Sequence, residues 1–175
     1  MKRKNLILIG MPGAGKSTSG VILAKRLGFH FIDTDLIIQA QEQARLQEII
    51  DRQGLDEFLR IEERMLLGLY AENSVIATGG SVIYSDKGIR ALGRIGYRIY
   101  LQVSLEQLQA RIADMGQRGL AMNSQQTFEQ LYYDRVPLYQ RYADLTISCD
   151  DLNAEQVAVR IEQELGRLPK LINPI

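Results

Sequence analysis

Cysteine is almost missing from this sequence: Cys149 is the only one. That excludes an intrachain disulfide and a thiolate metal cluster, fits a reducing compartment, and leaves Cys149 to be read as a small residue near a strand end. No charge of one sign prevails. Lys plus Arg and Asp plus Glu number 21 each, so there is no global field to hold a nucleic acid or an anionic membrane, and a small-molecule partner is expected instead. Long apolar runs are missing as well. The N-terminal stretch Leu6 to Met11 is too short for a signal-peptide core or a membrane span, and glycines follow it at once. A cytoplasmic protein acting as a monomer is expected. Internal repeats and low-complexity tracts do not occur, and 175 residues suit one domain, residues 1–175, with room for helices on both sides of a sheet. The single histidine, His30, adjoins an apolar strand and reads as packing.

What is present alternates. Short apolar runs at Asn5 to Ile9, His30 to Ile32, Ser74 to Thr78, Tyr97 to Val103 and Leu145 to Ser148 are separated by segments long enough for helical crossovers. Ser17 to Leu27, the first of these segments, carries apolar residues at helical spacing. The pattern predicts an α/β fold in three layers around a five-stranded parallel sheet. Between the second and third strands, Leu36 to Glu72 reads as helical with a break near Arg52, Gln53 and Gly54. This excursion (about 36–72) is too long for a plain crossover; it either walls a second ligand pocket or simply covers the sheet. Residues 114–126, rich in Gly, Gln, Asn and Ser, read as a mobile lid, after which Thr127 caps a helix. On that helix Arg141 can reach Asp144 one turn on and reads as structural.

Gly10-Met11-Pro12-Gly13-Ala14-Gly15-Lys16-Ser17-Thr18 fits the phosphate-loop pattern GxxxxGK(S/T), and it lies between a strand and a helix, where that pattern has meaning. Gly13, Ala14, Gly15, Lys16, Ser17 and Thr18 are therefore the expected ATP-binding residues: amides facing the phosphates, Lys16 neutralising the outer ones, and Ser17 on magnesium. Asp33 and Asp35 end the second strand at the same sheet edge. Alternation along an extended chain would aim both one way, Asp33 at the magnesium shell and Asp35 at the acceptor hydroxyl, whose proton it would accept. The alternative reading of the two acids is a helix cap and a turn. Phosphoryl transfer asks the protein mostly for positioning, so Asp35 and Lys16 are the expected catalytic residues, with Arg118 in the lid either stabilising transition-state charge or standing solvated.

Taken together these motifs resemble the shikimate kinase family over about Leu6 to Leu165. The phosphate loop is similar to the family's GxPGxGKST, Asp33-Thr34-Asp35 to its DxD, and Glu57-Phe58-Leu59-Arg60-Ile61-Glu62-Glu63 to its helical FRxxE element. Gly79-Gly80-Ser81 resembles its glycine triplet, and Arg135-Val136-Pro137-Leu138-Tyr139 its RxPLY helix. The resemblance implies a P-loop kinase of the nucleoside monophosphate kinase type, using ATP and Mg2+ to convert shikimate to shikimate 3-phosphate. It also implies that Gly79, Gly80 and Arg135 meet the acceptor and that Arg111 lies on the adenine side, although Arg111 reads equally as a surface residue and Arg135 as half of a structural ion pair.

Two positions depart from the family pattern. Where the family has an arginine after the phenylalanine of FRxxE this chain has Leu59, with Arg60 one residue on as the candidate replacement; and the glycine triplet ends in Ser81. Arg60 lies about 100° round the helix from the missing position. Losing a bidentate charge-assisted contact costs about 1.5 to 3 kcal/mol of carboxylate binding. Other acceptors such as homoserine or another hydroxy acid therefore stand beside shikimate, as does a ligand-sensing module that has lost catalysis.

Overall fold

A computed structural model describes residues 4–113, 122 and 126–167. Five strands, β1 (Asn5–Ile9), β2 (His30–Asp33), β3 (Ser74–Ala77), β4 (Gly96–Gln102) and β5 (Leu145–Ser148), form one parallel sheet in the order β2-β3-β1-β4-β5. Each lies within a residue or so of the run expected from sequence. β1 is central and buried along its whole length, which is why it reads as a continuous apolar run rather than an alternating one.

Around the sheet lie α1 (Lys16–Leu27), α2 (Thr34–Glu42), α3 (Leu46–Gln53), α4 (Leu55–Gly68), α5 (Asp86–Ile95), α6 (Leu105–Ala113), α7 (Phe128–Tyr142) and α8 (Ala154–Arg167). The crossover from β1 to β2 runs one way along the sheet, and those from β2 to β3, β3 to β4 and β4 to β5 run the other. Right-handed connections therefore put α1 on one face and the later crossover helices on the opposite one. Accordingly α1 packs on α8, β2 and β3, whereas α4 packs on α5, and α5 and α7 on β4. The chain reverses sense beside β1, so the carboxyl end of β1 opens the crevice where open α/β sheets bind ligands.

The helical excursion has two breaks. Gly54, with φ 84°, separates α3 from α4 as anticipated. The other, after α2, has no glycine or proline to announce it: Gln43 takes φ 51°, and Glu48 accepts a hydrogen bond from the Arg45 backbone N–H at 3.0 Å to start α3. Thr127 caps α7 by accepting from Gln130 N at 3.1 Å. Asp144 pairs with Arg98 at 3.0 Å, and α7 ends at Tyr142, so helical spacing from Arg141 does not extend to Asp144. Cys149 is buried directly after β5, whereas His30 begins β2 on an exposed edge instead of packing inward. Most of the 114–126 lid, Arg118 included, lies outside the described residues. Among the described residues no helix is long and apolar enough to cross a membrane.

Candidate active site

The loop after β1 curls because glycine permits it. Gly10, Gly13 and Gly15 have φ of 148°, 82° and 88°, and a Cβ on Gly10 would stand 2.8 Å from the Leu101 carbonyl oxygen. Gly15 is the N-cap of α1 and brings no side chain to its first-turn amides, and no acid lies in that turn. The positive end of α1 thus faces the loop uncapped by protein, which is the arrangement that receives a phosphate. Lys16 folds back over the loop, its Nζ donating to Gly10 O at 2.8 Å and Met11 O at 2.9 Å. Burial pulls its ammonium down to about 8, opposed chiefly by the Asp35 carboxylate, so it remains a cation at neutral pH. Arg111 reaches the same loop from α6, at 3.5 Å from Gly13 O.

Ser17 and Asp33 meet: Ser17 Oγ donates to Asp33 Oδ2 at 2.7 Å. The other Asp33 oxygen caps α2, accepting from Asp35 N at 3.0 Å and Leu36 N at 3.4 Å. Capping and a place beside the phosphate loop are thus both true of Asp33. The two acids do not converge by strand alternation, because this cap ends β2 at Asp33 and Asp35 already sits in the first turn of α2.

Asp35 is half-buried, and its Oδ1, shut off from solvent, has no hydrogen-bond partner. Burial is the main cause that pushes its carboxyl up to about 6; the Lys16 ammonium pulls it down, and Asp33 adds to the rise. A buried acceptor oxygen left without a donor is costly unless a ligand supplies one. Close by, Glu62 of α4 is 1 % exposed and accepts from Ser81 Oγ at 3.0 Å; burial raises it to about 7, with the Ser81 bond as the largest opposing influence. Both carboxylates crowd Gly79, where a Cβ would stand 2.5 Å from Glu62 Oε1 and 2.8 Å from Asp35 Oδ1. Gly80 is enclosed in the same way by Arg135 Nη1 at 2.9 Å and Pro12 Cδ at 2.9 Å, and its carbonyl accepts from Tyr139 OH at 2.6 Å. Arg135 is fully buried, with its Nε donating to Tyr84 OH at 3.2 Å.

The sequence-based candidates Lys16, Ser17, Asp33, Asp35, Gly79, Gly80, Arg111 and Arg135 thus gather at the carboxyl edge of β1 and β3. Arg60 does not join them. Its side chain is 72 % exposed and paired with Glu57 at 3.0 Å, because Phe58, Ile61, Glu62, Met65 and Leu66 form the buried face of α4 and Arg60 lies diametrically across from Phe58. Leu59 packs against the core. Thr34, which accepts from Gly79 N at 3.2 Å, is the middle residue of the Asp33-Thr34-Asp35 motif and was given no role from the sequence, while Tyr84 belongs to no motif; only the folded chain brings them to the glycines.

A phosphate loop feeding a helix, a buried lysine, and an aspartate with a buried, unpartnered oxygen at the carboxyl edge of a parallel sheet define a P-loop kinase. The model of the shikimate kinase family matches residues 12–166. A shikimate kinase of Thermodesulfovibrio yellowstonii is 35% identical over 94% of this chain and 96% of its own length, and one of Pseudomonas fluorescens is 37% identical over 95% and 98%. The solved structure of a shikimate kinase from Acinetobacter baumannii in complex with shikimate superposes with a TM-score of 0.81 at 30% identity, covering 95% of this chain and 96% of that one. The chain belongs to the shikimate kinase family.

Proposed function

We propose that this chain transfers the terminal phosphoryl group of ATP to a hydroxyl of shikimate, giving shikimate 3-phosphate and ADP. The observation that carries the reading is the buried Asp35 Oδ1, an acceptor with no donor, beside the phosphate loop and within the charge field of Lys16. A hydroxyl presented there would donate to Asp35 and point its oxygen towards the loop. The new bond forms between that oxygen and the γ-phosphorus, the bond to the bridging oxygen of ADP breaks, and the hydroxyl proton passes to the Asp35 carboxylate. Holding acceptor and donor in line is where most of the rate gain arises.

The loop amides and Lys16 would grip the triphosphate, Lys16 exchanging its bonds to Gly10 O and Met11 O for phosphate oxygens. Arg111 suits the adenine side of the same loop, and Arg118 the developing charge. The Ser17 and Asp33 oxygens fit magnesium, a hard cation that takes oxygen ligands and keeps several waters. Bound there, it would neutralise phosphate charge as the leaving group departs. Among the described residues no group of three or more His, Cys, Asp or Glu side chains is built to hold a metal, and a magnesium shared with phosphate needs none. Gly79, Gly80 and Arg135 would receive the acceptor's ring and carboxylate. The buried free thiol of Cys149 accords with a reducing compartment such as the cytoplasm.

Leu59 and the outward Arg60 favour a second reading, in which the same chemistry serves another small hydroxy acid or homoserine. A coupled ADP-release screen over shikimate, quinate, homoserine and simple sugar acids separates the two. Shikimate-dependent turnover above the others is expected. Turnover of another acid with none for shikimate refutes the first reading, and nucleotide binding without turnover of any refutes both.

A further inference from the structure

We infer that Tyr84 is a positioning residue for the acceptor's anionic end: it holds the Arg135 guanidinium against the Gly80 side of the pocket and so decides which acceptors the site accepts. The inference rests on the functional reading above.

Tyr84 closes the short 3-10 turn Val82–Tyr84 that directly follows Gly79-Gly80-Ser81. That turn is fastened at several points. Val82 and Ile83 are buried, Tyr84 N donates to Ser81 O at 2.9 Å, and Ser81 Oγ is tied to Glu62 on α4. The ring of Tyr84 is therefore carried on a fixed support, and it spans from solvent to the interior: the residue is 41% exposed, yet its hydroxyl accepts from the Nε of an arginine that is 0% exposed. The same guanidinium has its central carbon 5.1 Å from the centre of the Tyr84 ring. A hydrogen bond and the negative face of an aromatic ring thus act on one cation together.

From the other side, α7 grips the glycine pair with residues one turn apart. Arg135 Nη1 lies 2.9 Å from the point where a Cβ on Gly80 would stand, and Tyr139 OH donates to Gly80 O at 2.6 Å. Tyr84 fixes the near end of the guanidinium while Gly80, having no side chain, lets its far end approach the backbone. A phenol and its ring are neutral, so they orient the cation without cancelling its charge. A carboxylate in the place of Tyr84 would do the opposite and compete with an anionic acceptor. With Leu59 packed against the core and Arg60 turned to solvent, the anchoring of a small acceptor carboxylate falls on Arg135 and hence on the group that aims it.

The test compares wild type with Tyr84→Leu, which removes hydroxyl and ring, and Tyr84→Phe, which keeps the ring. Michaelis constants are measured for shikimate, for shikimate methyl ester and for ATP, alongside thermal midpoints. Tyr84→Leu is expected to raise the shikimate KM about tenfold. It should leave kcat and the ATP KM within about twofold and narrow the preference for the acid over its uncharged ester. Tyr84→Phe should fall between Tyr84→Leu and wild type. A shikimate KM unchanged in Tyr84→Leu, or an ATP KM raised by the same factor, overturns the inference while the functional reading stands. A wild-type chain that phosphorylates no shikimate takes down the functional reading and this inference with it.

Discussion

Gly79→Ala asks whether the two carboxylates must stand where they do. A Cβ at Gly79 would lie 2.5 Å from Glu62 Oε1 and 2.8 Å from Asp35 Oδ1. Restoring ordinary van der Waals contact requires these oxygens to retreat by roughly 0.6 to 0.9 Å. Neither can do so cheaply. Glu62 is bound to Ser81 and buried, and Asp35 sits in the first turn of α2, whose cap Asp33 is itself tied to Ser17. Gly79 has no left-handed backbone angle, so the substitution acts through crowding rather than backbone strain. Overpacking of this kind costs about 1 to 3 kcal/mol of stability. A displacement approaching 1 Å at the residue that orients the nucleophile should lower kcat by roughly a hundredfold. The assay is ADP release with saturating ATP and varied shikimate, paired with urea unfolding and with nucleotide affinity, which should stay within a few-fold of wild type because Lys16 and the loop are not touched by the added methyl. A Gly79→Ala chain that folds and keeps kcat within threefold of wild type would refute the claim that Asp35 must hold its present position.

Three further outcomes follow from the same geometry. With the Asp35 carboxyl near 6, kcat/KM for the acceptor should rise as pH increases through that value, and a flat profile from pH 5 to 8 would contradict Asp35 as the group that takes the proton. Glu62, raised to about 7 in the folded chain against 4.5 as the ordinary value, binds more protons folded than unfolded between those limits; its contribution to stability is therefore fully present below about 4.5 and is lost as pH rises towards 7. Glu62→Gln should remove that pH dependence, on the order of 3 kcal/mol across the window, and a urea-unfolding series in which stability varies with pH alike in both proteins would refute it. Leu59→Arg, which restores the arginine that the family pattern has after the phenylalanine, should lower the shikimate KM by about ten- to a hundredfold, and an unchanged KM would mean that the acceptor carboxylate is anchored elsewhere.

The sheet could be read from the sequence because β1 and β3 are buried along their whole length, so their runs are almost wholly apolar, and the runs are separated by helical segments. The phosphate loop could be read because its glycines answer a backbone need, visible in the positive φ of Gly10, Gly13 and Gly15. What escaped were features set by tertiary packing. Gln43 adopts a left-handed angle that ordinarily marks glycine, so the first break in the excursion left no trace in residue type. Arg60 satisfied the demand for a cation near the acceptor by adjacency along the chain, but the buried face centred on Phe58 turned it outward to Glu57. Asp33 carried two roles that seemed to be alternatives, because a carboxylate has two oxygens and the structure uses one for the helix and the other for Ser17. Tyr84 lies in a single turn with no periodicity, and only the approach of Arg135 from a helix 51 positions away gives it meaning.

Phosphorus-31 NMR of the protein with MgATP and shikimate tests the central claim most directly. A phosphate monoester signal should grow in step with the loss of the γ-phosphate of ATP. Asp35→Asn, which keeps the shape but not the charge, should stop this growth while nucleotide binding persists. Monoester formation that continues undiminished in Asp35→Asn would contradict the claim.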